Sequence, residues 1–124
     1  MSTLNEAGSL VPSWAWKGVT VRVVHGELAS LAVAELEPGV VVPEHQHANE
    51  QIGLVISGSA LFEVEGRQLV LGAGGTYRFL SGVPHQVTAG AEGAVFVECF
   101  APLREDWKSL EPAPDAVLRW PPSK

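Results

Sequence analysis

Two histidines, His45 and His47, stand two residues apart, shortly after a run of three valines at 40–42. In an extended strand, residues two apart project from the same face, so both imidazoles would point the same way. Gln51 has the same parity and would join them if the strand stays in register, whereas Glu50 would point to the opposite face. Imidazole nitrogens and amide oxygens are both ligand atoms for divalent metal ions. A His-x-His pair alone is equally typical of two surface histidines beside a polar turn.

The elements that would position these side chains are short strands. Apolar and β-branched residues recur with a period of two, and glycine-containing turns separate the segments at short spacing. Many short strands with regular turns are typical of a β-sandwich or barrel. One helical turn is expected over 104–110. The pattern predicts strands over 19–24, 31–36, 52–56, 60–64, 68–71, 76–80 and 94–100.

Length and composition predict one globular domain spanning residues 1–124. The chain has 124 residues, of which 46% are hydrophobic and 18% charged, so it has enough apolar surface to fold. The barrel core is expected over about 18–105. The termini, which hold the four tryptophans and several prolines, are expected to be irregular and to pack over the barrel or at a subunit contact; the tryptophans are Trp14, Trp16, Trp107 and Trp120.

Charge and cysteine content exclude several classes of function. The net charge is −6, and neither Lys nor Arg occurs between Arg22 and Arg67, so a continuous basic track for nucleic acid is not expected. Cys99 is the single cysteine, which excludes an intrachain disulfide and fits a reducing compartment. We find neither a signal-peptide pattern nor an apolar run long enough for a membrane span. These features predict a cytoplasmic protein that binds neither nucleic acid nor membrane.

The segment around His45 and His47 resembles the first motif of the cupin family. That motif has a Gly, five residues, His-x-His, three or four residues, a Glu, six residues and a Gly. Gly39 and Gly58 stand at the two Gly positions, and Gln51 stands where the family has its Glu.

A second segment resembles the other cupin motif, which lies beyond a hairpin-length insert. Gly74, Gly82 and His85 keep the spacing of that motif. Leu80 and Ala89 depart from the Pro and Asn that the family has at these positions. His85 therefore stands at the histidine position of the second motif.

The resemblance covers about residues 18–105 and implies the fold and a metal site. It implies an all-β, single-domain cupin, an antiparallel double-stranded β-helix, or jelly-roll barrel. It also implies one divalent ion, Zn, Ni, Fe or Mn, and the ligands implied are His45, His47, Gln51 and His85. The fourth histidine, His25, matches neither motif and is expected to be an ordinary strand-end histidine. Because Gln51 is neutral, the metal would keep its full charge and favour an anionic substrate.

The last predicted strand places Glu98 and Phe100 on one face, which in a cupin barrel looks into the lumen. A carboxylate there is costly unless it meets a metal, a cation or a substrate. Arg104 follows and could supply the cation, either as a purely structural ion pair or as a clamp for a substrate carboxylate. Cys99 has the opposite parity and is expected to be a packed thiol.

A narrower resemblance concerns the small cupins of pectin and alginate breakdown, which convert 4,5-unsaturated uronate monomers to linear keto forms. Their acid-x-Phe-x-x-x-Arg pattern falls on Glu98, Phe100 and Arg104, with Asp in the family where this chain has Glu98. The resemblance implies a metal-dependent isomerase or ring-opening enzyme. Glu98 and Arg104 would be catalytic, and Phe100 and Arg104 would bind the substrate.

Two other functions fit the same residues. Three histidines and open coordination positions would suit an iron-dependent dioxygenase, and a non-catalytic module could bind a small acid or a metal. With no DNA-binding segment in the sequence, a complete transcription factor is not expected. By analogy with small cupins, we expect a homodimer formed through edge strands and the Trp-bearing N-terminus.

Overall fold

A computed structural model describes residues 3–122, which form an almost entirely antiparallel β structure. Two short 3-10 helices flank the strands, over Ala7–Ser9 and Glu105–Ser109. In the described part of the chain, no helix is long and apolar enough to cross a membrane. The eight strands are β1 (Ser13–Trp16), β2 (Val19–His25), β3 (Ser30–Leu36), β4 (Val41–His45), β5 (Glu50–Val64), β6 (Arg67–Gly72), β7 (Thr76–Phe79) and β8 (His85–Ala101).

Two long strands, β5 and β8, organise the whole sheet. The strand order is β1-β2-β3-β8-β5-β6, with β4 also paired to β8 and β7 also paired to β5. The first half of β8 pairs with β4 and with the end of β5, and its second half pairs with β3 and with the start of β5. Both long strands therefore pair with different neighbours along their two halves. The all-β fold predicted from the sequence is confirmed.

The predicted break at Ser57-Gly58-Ser59 is wrong, because β5 continues through it as one strand. The register shifts on both sides of Gly58 are bulges, which bend a strand without ending it. Gly58 has φ +72°, and a Cβ there would overlap the carbonyl oxygen of Gly93 on β8. The bend therefore needs glycine for both backbone conformation and space. Strand β8 likewise begins nine residues before the predicted start at residue 94.

The N-terminal segment is less irregular than the sequence indicated. Trp14 and Trp16 belong to β1, an edge strand of the sheet, and are 37% and 39% exposed. Cys99 is exposed, which contradicts the packed thiol expected from sequence. It lies on the outer face between Leu31 and Ile52, which are its partners on the neighbouring strands.

The barrel interior of the described chain is filled by apolar side chains from six strands, with the alternating burial that a half-buried strand requires. Phe62, Tyr77, Phe79 and Phe96 form an aromatic cluster at its centre, with ring centroids 4.7–6.3 Å apart. Smaller residues complete the core; these are Val19, Val21, Ala34, Leu36, Val42, Val55, Ala60, Val87, Ala89 and Ala94.

A buried ion pair on the outer face of β2 and β3 fastens both termini to the barrel. Arg22 donates to the Glu35 carboxylate at 3.0 Å, and the two side chains are 1% and 4% exposed. The same guanidinium donates to the carbonyls of Ala7 and Trp120. Glu35 also accepts hydrogen bonds from the backbone N–H groups of Arg119 and Trp120. The terminal segments are therefore held by hydrogen bonds to one charged pair.

We predict that Glu35→Ala lowers the free energy of unfolding by about 3–5 kcal/mol, because it leaves the Arg22 guanidinium buried without its counterion. Urea denaturation of the two proteins measures the difference. The matched control is Glu37→Ala, an exposed carboxylate two residues along the chain, for which we expect a change within about 0.5 kcal/mol. Equal losses in the two variants would contradict the role given to the buried pair.

Candidate metal centre

The fold brings three histidines from separate elements together at one end of the barrel. His45 is the last residue of β4, and His85 is the first residue of β8; the two are register partners. His47 lies in the loop that connects β4 to β5. One ligand nitrogen from each ring lies within 4.8 Å of the others. The shortest distance between ring centroids is 4.4 Å, between His45 and His85.

Backbone carbonyls hold all three imidazoles by the same nitrogen. The Nδ1 atoms of His45, His47 and His85 lie 2.8–2.9 Å from the carbonyl oxygens of Pro43, Asn49 and Val83, each two residues away. A carbonyl oxygen only accepts, so each Nδ1 carries the proton and each Nε2 presents a lone pair. An N–H donated in this way is what orients metal-ligating histidines in proteins.

The surroundings of the His85 Nε2 atom test whether a metal ion fits among the three histidines. It is buried and has no hydrogen-bond partner among the described residues, although buried polar atoms nearly always have one. Burial lowers the pKa of His85 to about 4 and is also the main cause of the lowered pKa of His47. Both shifts favour the neutral ring, whose lone pair can bind a cation. The donor set fits a divalent ion.

Gln51 adds an oxygen donor beside the histidines. It is the second residue of β5 and 9% exposed, and its Oε1 lies 3.0 Å from Nε2 of His47. Two donors that bind one ion at a right angle, each at about 2.1 Å, also lie about 3 Å apart. Glu50 pairs instead with Ala101, an exposed residue, and so shares the outer face of the sheet.

The structure gives these residues a different local conformation from the one predicted. The sequence argument required one extended strand from His45 to Gln51, but β4 ends at His45 and β5 begins at Glu50. A four-residue connection, 46–49, turns the chain so that His47 and Gln51 approach from different elements. The side chains converge because of this turn and the pairing of β4 with β8.

An acidic residue adjoins the metal centre through Gln51. Glu98 on β8 is 6% exposed, and its Oε1 accepts hydrogen bonds from Gln51 Nε2 at 2.9 Å and from the Tyr77 hydroxyl at 2.5 Å. Burial raises the pKa of Glu98, and the two hydrogen bonds partly offset that effect. Sequence analysis missed Tyr77. Its alternation with Phe79 would have placed it inside the barrel, but no local pattern shows that it meets Glu98.

The possible ion pair between Glu98 and Arg104 is not formed. Arg104 instead donates through Nε and Nη2 to the two carboxylate oxygens of Asp106, at 3.0 and 2.9 Å. The short helix that starts at Glu105 turns Asp106 back onto the guanidinium, two residues from it. The hydrogen bond from Arg104 lowers the pKa of Asp106. The guanidinium carbon also lies 4.1 Å from the ring centroid of Trp107 and 4.8 Å from that of Phe100.

A cavity of about 70 Å³ connects these groups inside the barrel. Its polar wall is formed by His45, Gln51, His85, Glu98 and Arg104, and the remaining walls are mostly apolar. A larger groove of about 730 Å³ lies on the outer side, between the C-terminal segment and β2–β3. None of the candidate site residues lines that groove, so the chemistry belongs to the smaller cavity.

Comparison with known proteins defines the family of this fold and site. The model of the cupin domain matches residues 32–100, more than half of the chain. The chain therefore belongs to the cupin family, and it resembles the small cupins of pectin degradation. It is 31% identical over 70 residues to the pectin degradation protein KdgF of Dickeya dadantii, covering 56% of this chain and 64% of that protein.

Other relatives share the domain in different contexts. The HTH-type transcriptional regulator PuuR of Escherichia coli is 28% identical over 82 residues, which are 62% of this chain and 44% of the regulator. The chain thus spans less than two thirds of the length of these curated relatives. Among solved structures, KdgF from Halomonas sp. has a TM-score of 0.79 at 21% identity, covering 86% of this chain and 99% of that one. A Bacillus subtilis oxalate decarboxylase has a TM-score of 0.70 at 24% identity, covering 90% and 33%. At these identities the structural likeness shows the fold alone.

We predict that His85→Ala and His47→Ala each abolish stoichiometric binding of a divalent metal, because each removes one imidazole from a small set of ligands. His25→Ala is the matched control and should keep the metal, since His25 Nδ1 is hydrogen-bonded to Ser30 Oγ at 2.8 Å, away from the cluster. Elemental analysis of the purified variants measures the ratio of metal to protein. Equal metal contents in all three variants would contradict the assignment.

Proposed function

We propose that this cupin is a metal-dependent enzyme that opens and ketonises 4,5-unsaturated uronate monomers. The proposal is carried by one observation: a buried carboxylate, Glu98, and an arginine, Arg104, line one small cavity together with two histidines of the three-histidine cluster, His45 and His85. The relationship to a pectin degradation protein supports this substrate class, because pectin is a polymer of uronates. The ligands proposed for the metal are His45, His47, His85 and Gln51.

The neutral donor set favours an anionic substrate. Three neutral imidazoles and one carboxamide add no negative charge, so a bound divalent ion keeps both positive charges and, as a Lewis acid, polarises the substrate oxygens that it contacts. Arg104 lines the same cavity, and a substrate carboxylate would share its guanidinium with Asp106. The chain as a whole carries −6, so an anion would be attracted by the local charge of this site and not by the net charge of the chain.

The residues of the cavity can carry out the proton transfers that the reaction needs. Opening the hemiacetal ring breaks its C–O bond and releases the hydroxyl proton, and ketonisation of the resulting enol adds a proton at C4. The net change is the transfer of one proton from oxygen to carbon, without oxidation. Glu98 carries that proton, Arg104 binds the substrate carboxylate, and Phe100 contacts both Arg104 and His47 and shapes the pocket.

A second candidate function is binding without catalysis. The similarity to a transcriptional regulator, PuuR, favours it, because in that protein the matched region is less than half of the chain. In this case the cavity would bind a small carboxylate or a metal, and turnover would be absent. An iron-dependent dioxygenase, the other alternative, would consume oxygen in the presence of its substrate, whereas uronate ketonisation would not.

Assembly and location stay predictions. The homodimer expected from sequence would use β1, an edge strand whose Trp14 and Trp16 are half-buried, as part of its contact. Sedimentation of the wild-type chain and of Trp14→Ser would test that contact by its effect on mass. The cytoplasmic location likewise rests on the sequence expectation.

We predict that Glu98→Gln lowers kcat for unsaturated uronates by about a hundredfold or more, because the amide keeps the shape but cannot carry the proton. Arg104→Ala should mainly raise KM, by about tenfold or more, because it removes a charge-assisted contact to the carboxylate. The assay follows the loss of ultraviolet absorbance of the unsaturated sugar, with metal content measured on the same samples.

The matched control is Glu50→Gln, a carboxylate one residue from Gln51 that faces outward and should leave kcat and KM unchanged. Undiminished kcat in Glu98→Gln would remove Glu98 as the proton carrier. If the wild-type chain shows no uronate turnover when fully metallated, the enzymatic proposal is wrong.

A further inference from the structure

A second polar side chain, Tyr77, reaches the proposed acid from across the sheet. Tyr77 on β7, Gly53 on β5 and Glu98 on β8 are register partners in one row of three adjacent strands. Side chains of neighbouring strands on one face normally meet only their direct neighbours, so a residue on β5 would usually separate Tyr77 from Glu98. Here the phenol extends over Gly53 and donates a hydrogen bond to Glu98 Oε1 at 2.5 Å.

Glycine at position 53 makes this contact possible. A Cβ built on Gly53 would overlap the Cζ and Oη atoms of Tyr77. Any other residue there would displace the ring from the row. Gly53 lies inside a strand, where glycine weakens the local structure and marks a close approach of other groups. Here the group that comes close to Gly53 is the hydroxyl end of the Tyr77 side chain.

The ring of Tyr77 is held by the aromatic cluster, so its hydroxyl has a fixed position. Phe62, Phe79 and Phe96 surround it at centroid distances of 4.7, 5.2 and 5.6 Å. Tyr77 itself does not line the cavity, so it does not reach a ligand there. Its hydroxyl donates to Glu98, and the Gln51 side chain lies close enough to influence its pKa as well.

The two oxygens of Glu98 have different surroundings. Oε1 accepts hydrogen bonds from both Tyr77 and Gln51, while Oε2 accepts none from residues 3–122 and belongs to a side chain that lines the cavity. Two donors on a single oxygen fix the rotation of the carboxylate about its last bond. The oxygen without a donor is then the one left to exchange a proton with a bound molecule.

We propose that Tyr77 is a positioning residue for Glu98, which its hydroxyl orients across Gly53 so that the second carboxylate oxygen is presented to the cavity. The consequence for turnover rests on the proposed function, but the contact itself does not. Tyr77→Phe removes one oxygen and leaves the aromatic packing in place. We therefore expect kcat to fall about tenfold, with KM within twofold and with metal content unchanged, because only the placement of the acid is lost.

The contact can be measured without activity, since Tyr77 is the single tyrosine of the chain. Tyrosine labelled with carbon-13 at Cζ gives one side-chain resonance in the wild type. Glu98→Gln replaces the carboxyl acceptor by a carboxamide, so the hydrogen bond from Tyr77 changes and this resonance should shift. Glu50→Gln is the matched control: it makes the same substitution on the outer face of the sheet, and should leave both the resonance and kcat unchanged.

The resonance measurement and the turnover assay separate the positioning role of Tyr77 from the proposed uronate substrate. A Tyr77 resonance that is the same in wild type and in Glu98→Gln would overturn the positioning role, whatever the activity. A shifted resonance with undiminished kcat in Tyr77→Phe would also overturn it, because the contact would then be structural only. A shifted resonance in a metallated wild-type chain that turns over no uronate supports the orientation of Glu98 by Tyr77 and rejects the proposed substrate instead.

Discussion

Three imidazoles whose ligand nitrogens lie within 4.8 Å of one another are the constraint on which the rest of this structure depends. Each ring has its Nδ1 proton committed to a backbone carbonyl, so the three Nε2 atoms have no proton to donate to one another. The buried Nε2 of His85, left without a partner, costs about 1–3 kcal/mol. A bound divalent cation would offset that penalty, because it would give the buried nitrogen a partner. Apolar packing around the ring would not.

The same two strands that build the barrel connect the metal centre to the acid. Strand β5 carries Gln51 and Gly53, and β8 carries His85 at its start and Glu98 near its end. Gln51 faces His47 with its oxygen and Glu98 with its nitrogen, so one carboxamide links the two groups. A carboxylate at position 51 would have no N–H group to donate to Glu98. The carboxamide at this position thus suits both the metal centre and the carboxyl group beside it.

Sequence reasoning succeeded where the information is local. The alternation of apolar residues predicted most strands, and the spacing of the two motifs predicted both the fold and the set of histidines that meet. It failed where the answer depends on which strands pair. The extended strand assumed between His45 and Gln51 is a turn, and Arg104 pairs with Asp106 rather than with Glu98. Tyr77 reaches Glu98 only through the register of three strands, which no local pattern encodes.

The central claim is that one divalent ion is bound by three Nε2 atoms and the oxygen of Gln51. A crystal structure of the metal-loaded chain, with anomalous diffraction recorded at the absorption edge of the metal, tests it most directly. We predict one ion about 2.0–2.2 Å from Nε2 of His45, His47 and His85 and from Oε1 of Gln51. An ion bound through any Nδ1 atom, or bound outside this cluster, would contradict the account.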